Sequence, residues 1–300
     1  MRFTSSRHRM RAFFWYECCL MYLTMRSFIA RLSVLLFATG YLCAQPYATV
    51  REYESAIRQQ FKKDSGLLPD SLKESLHDNI EELFASALLL PDAFTFPFDS
   101  LTKVGRITSR DNKVRVFTWE LIRNDGSHHY YGFILFRRMD PENSLLIRLT
   151  NNTAEPGDAG MQVLGPTTWF GALYYEIIEG KWNDSPVYTL LGYDPNNIFT
   201  SRKILDCFYM KDGTVPVFGA PIFMMHNKVR NRVVFEYSAR VSMSLRYDPT
   251  KKMIIFDHLS PAKPSFEGNY EFYGPDFSYD AFKFIDNCWV LEENIDIRNQ

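Results

Sequence analysis

The sequence contains none of the short motifs that mark common hydrolases and nucleotide-binding enzymes. It has no G-x-S-x-G elbow, no H-E-x-x-H zinc helix, no G-x-x-x-x-G-K-[ST] phosphate loop and no G-x-G-x-x-G fingerprint. Cysteine is also scarce, with 5 in 300 residues, which excludes a small scaffold built on disulfides. No motif therefore names a reaction, and the sequence favours a non-enzymatic protein without excluding an enzyme.

An excess of basic charge is missing as well. Of the 34 basic and 35 acidic residues, six arginines and one glutamate lie in residues 1–44, so the rest of the chain is net acidic. A protein that binds nucleic acid needs a basic stripe to neutralise phosphates. The sequence therefore predicts no nucleic-acid partner.

No apolar run near the start is long enough for a membrane-spanning helix, which needs about 20 residues. Residues 25–44 read MRSFIARLSVLLFATGYLCA: two arginines, an apolar run and then the small residue Ala44. This three-part layout is typical of a secretory signal peptide. We predict cleavage before Gln45, export to the periplasm, outer envelope or medium, and no transmembrane segment in the mature chain.

Two features around this leader leave alternatives open. Residues 1–24 precede a complete signal that has its own methionine, Met25, so we interpret them as a mis-assigned extension; an uncleaved anchor is the alternative. Cys43 follows the apolar run, where a lipoprotein would carry its lipid, but Leu42 is larger than the residue usual before such a cysteine.

Residues 45–92 predict a helical hairpin. Ser71 followed by Glu74 has the spacing of a capping box that starts the second helix. Apolar residues recur at three- and four-residue steps in the first half, namely Val50, Tyr53, Ile57 and Phe61. One apolar face on each helix has to be buried, and the segment that follows is the natural partner.

Residues 93–300 predict a mostly β body. Aromatic residues make up 16% of the chain, and aromatic and β-branched residues suit a half-buried strand. Short runs of these residues alternate with turn sequences, a pattern typical of consecutive hairpins; the turns lie at 124–127, 180–186, 211–213, 248–249 and 286–287. The expected fold is an antiparallel meander, arranged as a sandwich, barrel or small propeller.

Only two cysteines, Cys207 and Cys288, follow the leader, and both lie in strand-like segments. An oxidising compartment permits a disulfide between them. Separation in sequence does not give the distance between two thiols, so a disulfide and two free thiols both remain open.

Acidic and aromatic residues alternate near the C-terminus. The candidate carboxylates are Glu271, Asp276 and Asp280, among tyrosines that include Tyr273 and Tyr279. Rings that stack on sugars and carboxylates that act as acid and base are typical of glycan-binding and glycoside-cleaving sites. Two alternatives are a Ca²⁺ loop formed by the aspartates and a tight turn in which Asp276 caps its own backbone.

Two further residues are candidates for ligand binding. His258 follows Asp257 in a predicted strand, where neighbouring side chains point to opposite faces; it either binds a ligand or ends the strand and bonds to a backbone carbonyl. Trp169 carries a large ring that either stacks on a ligand or fills the core. No other metal site and no cofactor is predicted.

Long segments from residue 94 onward resemble an uncharacterised family of exported proteins from gram-negative bacteria. The segments are PFDSLTKVGRITSRDNKVRVFTWE (97–120), YTLLGYDPNNIFTSRKILD (188–206), VFGAPIF (217–223), FEYSARVSMSLRYD (235–248), MIIFDHLSP (253–261) and YEFYGPDFSYDAFKF (270–284). The resemblance implies secretion and a mostly β body, and it supplies no activity, ligand or site residue.

Together these observations predict an exported envelope or secreted protein that binds a glycan or an envelope component without catalysis. A carbohydrate-active hydrolase that uses carboxylates near residues 271–280 is the first alternative. A structural component of an envelope assembly is the second.

Overall fold

The computed structural model describes residues 47–138, 144–151 and 158–296, which belong to one compact unit beginning at Tyr47. The predicted extension, signal peptide and cleavage site, residues 1–45, lie outside the described residues. Within the described ranges no helix combines the length and the apolar character needed to cross a membrane.

The first helix, α1 (Val50–Lys63), begins with a capping box that sequence reasoning missed. The Thr49 hydroxyl accepts a hydrogen bond from the Glu52 amide at 3.3 Å, and the Glu52 carboxylate accepts from the Thr49 amide at 3.1 Å. This reciprocal pair satisfies two backbone donors at the helix start. The apolar stripe of α1 is buried as predicted, since Tyr53 and Ile57 are fully enclosed.

The second helix, α2 (Asp70–Leu88), corrects one prediction. Its N-cap is Pro69, which has no side chain able to cap, so the predicted box of Ser71 and Glu74 is wrong. The helix starts two residues earlier than that box requires, which places Ser71 inside the first turn. The Glu74 carboxylate instead accepts a hydrogen bond from Arg123 at 3.0 Å.

Fifteen strands are seen in the described residues, and they form three sheets. The first sheet has the order β1-β2-β3-β4, the second β11-β7-β6-β5 with β8 paired to β7, and the third β10-β9-β15-β14-β13-β12. The strands are β1 (Gly105–Thr108), β2 (Val114–Ile122), β3 (His128–Arg137), β4 (Ser144–Thr150), β5 (Leu173–Trp182), β6 (Ser185–Asp194), β7 (Thr200–Lys211), β8 (Val215–Phe218), β9 (Phe223–Met225), β10 (Lys228–Arg230), β11 (Val233–Ser238), β12 (Leu245–Asp248), β13 (Met253–Pro261), β14 (Tyr273–Ile285) and β15 (Cys288–Glu292).

The helices and sheets stack in four layers with three apolar cores between them. The first core joins the helices to the first sheet, with Phe84 of α2 against Trp119 of β2. The second lies between the first and second sheets, and the third between the second and third sheets. The first and second sheets are thus buried on both faces, which explains the high aromatic content.

Strand β2 shows how the sequence specifies this layering. Phe117 and Trp119 belong to the core under the helices, whereas Val114 and Val116 belong to the core on the opposite face. Successive side chains of a strand point to opposite faces, so two interleaved apolar sets serve two cores.

The predicted fold class is confirmed: the body is mostly β with antiparallel sheets, and a pair of helices precedes it. Sequence reasoning missed the short strands β1, β9 and β10. It also missed the parallel pairing of β9 with β15, which joins strands distant in sequence and is therefore invisible to a search for hairpins.

Candidate functional site

The polar residues singled out near the C-terminus meet at an irregularity between β13 and β14. Asp257 pairs with Tyr279, and Leu259 pairs with Pro275, so His258 on β13 faces three residues on β14. We call these three residues, 276–278, the β14 bulge. Bulges re-aim side chains and are frequent beside functional sites.

His258 and Asp280 form a pair at this bulge. The His258 Nδ1 atom lies 2.7 Å from Asp280 Oδ2, and Asp280 Oδ1 accepts a hydrogen bond from the Asn294 amide at 2.9 Å. Asp280 is buried, whereas the His258 ring is partly exposed. The hydrogen bond to Asp280 raises the pKa of His258, although burial opposes the change. The imidazole is therefore more often protonated than in water near neutral pH.

Asp276 caps the turn of the bulge. Its Oδ1 atom accepts hydrogen bonds from the Ser278 amide at 3.0 Å and from the Ser278 hydroxyl at 2.7 Å. Burial acts to raise the pKa of Asp276, but these bonds and the charge of His258 lower it overall. Asp276 thus remains ionised at the surface and fits the turn-capping alternative.

Glu271 lies apart from this pair, in the 3-10 helix Tyr270–Phe272. Its carboxylate is 3.7 Å from the exposed guanidinium of Arg240. The three candidate carboxylates therefore have three different partners: a histidine, a serine and an arginine.

Phe277, at the centre of the bulge, was not singled out by sequence reasoning. Its side chain is 94% exposed, and its backbone has a φ of 71°. A bulky residue in the left-handed region is uncommon, because its Cβ crowds the following carbonyl. No sequence pattern indicates such a conformation, since it arises from the way three residues of β14 span a single residue of β13.

Three tyrosines, Tyr270, Tyr273 and Tyr279, lie close to the bulge in sequence. Tyr270 is 45% exposed and contacts the ring of Tyr273 with 5.0 Å between centroids. The Tyr273 hydroxyl accepts a hydrogen bond from the Gly268 amide at 3.0 Å. Tyr279 is half-buried, opposite Asp257 in the ladder.

Trp169 lies elsewhere, in the core between the first and second sheets. It is fully buried, and its indole donates a hydrogen bond to the Tyr174 hydroxyl at 3.0 Å. Its ring is thus enclosed by protein and presents no face to a ligand.

Both cysteines are free thiols in the structure. Cys207 is buried, with its Sγ atom 3.3 Å from the Ala220 carbonyl oxygen, and Cys288 is half-buried. Burial, with the neighbouring Asp206, raises the pKa of the Cys207 thiol. Cys207 therefore behaves as a small apolar core residue.

In the ranges that the structure describes, no group of three or more histidine, cysteine, aspartate or glutamate side chains is arranged to hold a metal ion. At the bulge, both oxygens of Asp280 already have protein partners, His258 and Asn294.

No protein-family model, curated protein or solved structure matches the chain. Function therefore has to be inferred from the geometry.

Proposed function

We propose that the protein is an exported, non-catalytic binding protein of the bacterial envelope or the medium, and that it binds glycan at the β14 bulge. The binding surface comprises the exposed aromatic and polar side chains around that bulge: Arg240, His258, Tyr270, Asp276 and Phe277. Export is supported by the signal-peptide layout of residues 25–44.

The exposed ring of Phe277 is the observation that carries the proposal. Its left-handed backbone costs about 1–2 kcal/mol, and its exposed ring gains none of the 1.5–3 kcal/mol, roughly, that burial of a phenylalanine provides. Backbone strain of this kind clusters at binding sites, where the strained residue has a purpose other than stability. A ring held outward in water is available for contact with a ligand.

The surroundings of Phe277 suit a sugar. Aromatic faces at Phe277 and Tyr270 can stack on the apolar face of a pyranose ring. The ionised carboxylate of Asp276 accepts hydrogen bonds from hydroxyl groups, and His258 and Arg240 donate them. Apolar rings beside a few convergent polar groups are typical of small-ligand sites.

The test is binding of the purified protein to a panel of envelope glycans and soluble peptidoglycan fragments. We expect at least one glycan to bind, and Phe277→Ala to weaken it about tenfold, because one stacked ring is worth roughly 1.5 kcal/mol. Leu67→Ala is the matched control, since Leu67 is 96% exposed on the connection between α1 and α2.

Absence of binding across the panel, or equal losses in the two variants, would contradict the proposal. Export is checked separately, by cell fractionation and mass spectrometry of the native N-terminus. The expected first residue is Gln45; a cytosolic form that retains residues 1–44 would contradict export.

The hydrolase alternative requires two carboxylates across one cleft, roughly 5–9.5 Å apart. Glu271, Asp276 and Asp280 are instead each engaged by a separate protein partner. No observation favours the hydrolase, and none favours a structural component of an assembly.

A further inference from the structure

A cleft of about 580 Å³ lies between the connection of α1 to α2 and the turn from β2 to β3. Its volume is within the range of roughly 300–1,000 Å³ that is typical of small-molecule sites. Charged side chains dominate its lining: Asp64, Lys73, Lys103, Glu120 and Arg123. None of these residues belongs to the β14 bulge.

Lys73 is the unusual member of this lining. It is only 4% exposed, yet its ammonium group donates to two neutral acceptors, the Ile122 carbonyl at 3.0 Å and the Asn124 side chain at 2.8 Å. Among the described residues, no carboxylate lies within 4.0 Å of the Lys73 ammonium. An ammonium has three donors, and a nearly buried charge without a counter-charge is costly.

The two carboxylates of the cleft do not neutralise Lys73, because each has another partner. Asp64 Oδ2 lies 3.4 Å from the Lys103 ammonium, and Glu120 Oε2 lies 2.8 Å from His128 Nδ1. Arg123, a third cation of the cleft, contacts Glu74 through Nε at 3.0 Å. One buried positive charge is thus left without an anion.

We propose that this cleft binds a small organic monocarboxylate, up to the size of a sugar acid, whose carboxylate is held by Lys73 and Arg123. A single negative charge balances Lys73, whereas a phosphate dianion would be repelled by Asp64 and Glu120. The same two carboxylates accept hydrogen bonds from hydroxyl groups on the body of the ligand, and the half-exposed side chain of Ile122 supplies an apolar wall.

The experiment titrates the purified protein with lactate, glucuronate and N-acetylmuramate by calorimetry, and with glucuronamide as the neutral match to glucuronate. We expect at least one carboxylate to bind and the amide not to bind. Lys73→Met removes the charge and keeps the aliphatic stem, so the affinity should fall at least about tenfold, the loss expected for one charge-assisted hydrogen bond.

Lys203→Met is the matched control, because Lys203 is a half-buried lysine elsewhere, with its ammonium 4.7 Å from the ring centroid of Tyr175. This variant should retain full affinity. Glu120→Gln keeps an amide oxygen that can accept a hydrogen bond from the ligand and removes a like charge from the cleft, so this variant should bind the carboxylate several-fold more tightly. This increase tests the proposal even if Lys73→Met does not fold.

Three results would overturn the proposal. The first is that no carboxylate in the panel binds more tightly than about 10 mM. The second is that glucuronate and glucuronamide bind equally. The third is that Glu120→Gln leaves the affinity of the bound carboxylate unchanged or weakens it.

Discussion

The buried ion pair of Asp206 and Arg232 offers the sharpest test of how the layers are held together. Both side chains are fully enclosed, with the Arg232 guanidinium 3.0 Å from Asp206 Oδ1. Asp206 Oδ2 also accepts a hydrogen bond from the Tyr174 hydroxyl at 3.0 Å. Arg232 donates to the Ala159 carbonyl at 3.0 Å and stacks over the ring of Phe170. The pair therefore ties the segment before β5 to β7 and β11.

Asp206 stabilises the charged form of Arg232. Burial acts to lower the pKa of Arg232, but attraction and hydrogen bonding to Asp206 outweigh it, and the pKa is raised overall. Arg232→Met removes the cation and leaves the buried Asp206 carboxyl group with two hydrogen-bond donors among the described residues, Tyr174 and the Cys207 amide. Breaking a buried pair in this way costs about 3–5 kcal/mol, which is a large fraction of the 5–15 kcal/mol typical of a folded domain.

Urea denaturation followed by circular dichroism measures this loss as a lower transition midpoint with an unchanged slope. Asp206→Asn should also destabilise the fold, because it leaves the Arg232 charge unpaired. The double variant Asp206→Asn with Arg232→Met should lose less than the sum of the two single variants by at least about 2 kcal/mol, since it leaves no uncompensated charge. Additive losses, or a loss below about 1 kcal/mol for Arg232→Met, would refute the reasoning.

Four further substitutions probe local features, each by its effect on the free energy of unfolding in urea. Phe277→Gly should leave that free energy unchanged or raise it by up to about 1 kcal/mol, since glycine adopts a positive φ without strain. The affinity for glycan should fall in the same variant. A clear destabilisation would contradict the inference that the backbone is strained at Phe277. Gly219→Ala should cost about 2–5 kcal/mol, because Gly219 has a φ of 98° and an added Cβ would lie 2.5 Å from the Gln162 carbonyl oxygen. Gly213 also has a positive φ, but open space surrounds the position of its added Cβ, so Gly213→Ala should cost only about 1 kcal/mol. Equal losses of stability in the two glycine variants would contradict the steric argument. His77 of α2 is fully buried, and burial lowers the pKa of its ring below the usual value of about 6.5. The unfolded chain therefore binds a proton more readily than the folded protein, so the free energy of unfolding declines as the pH falls through about 6.5. His77→Leu should flatten this decline between about pH 7.5 and pH 5, and an unchanged pH dependence would contradict the prediction.

Sequence reasoning recovered those features that depend on neighbours along the chain. The predicted strands around residues 124–127 correspond to β2 and β3, because the turn sequence and the alternating side chains act over a few residues. The three- and four-residue steps of α1 predicted its buried face for the same reason. The capping box was misplaced, since Ser71 and Glu74 have the right spacing but the helix begins at Asp70.

The candidate site was recovered in part. Asp276, Asp280 and His258 were each singled out from their residue types, but the bond between His258 and Asp280 joins residues 22 positions apart. It depends on the register of β13 against β14, and a bulge changes that register locally. Trp169 was a candidate because of its ring, and its burial between two sheets follows from packing that no local pattern reports.

The order of polar and apolar residues by itself determined that this chain forms two amphipathic helices followed by antiparallel strands, because secondary structure responds to periods of 3.6 and 2 residues. Only the tertiary structure decided that the sheets stack into layers. The same stacking decided that Asp206 meets Arg232 inside the protein, and that the ammonium of Lys73 is nearly buried without an anion. Such contacts join residues far apart in the sequence, and their energy depends on burial, which exists only once the layers have assembled.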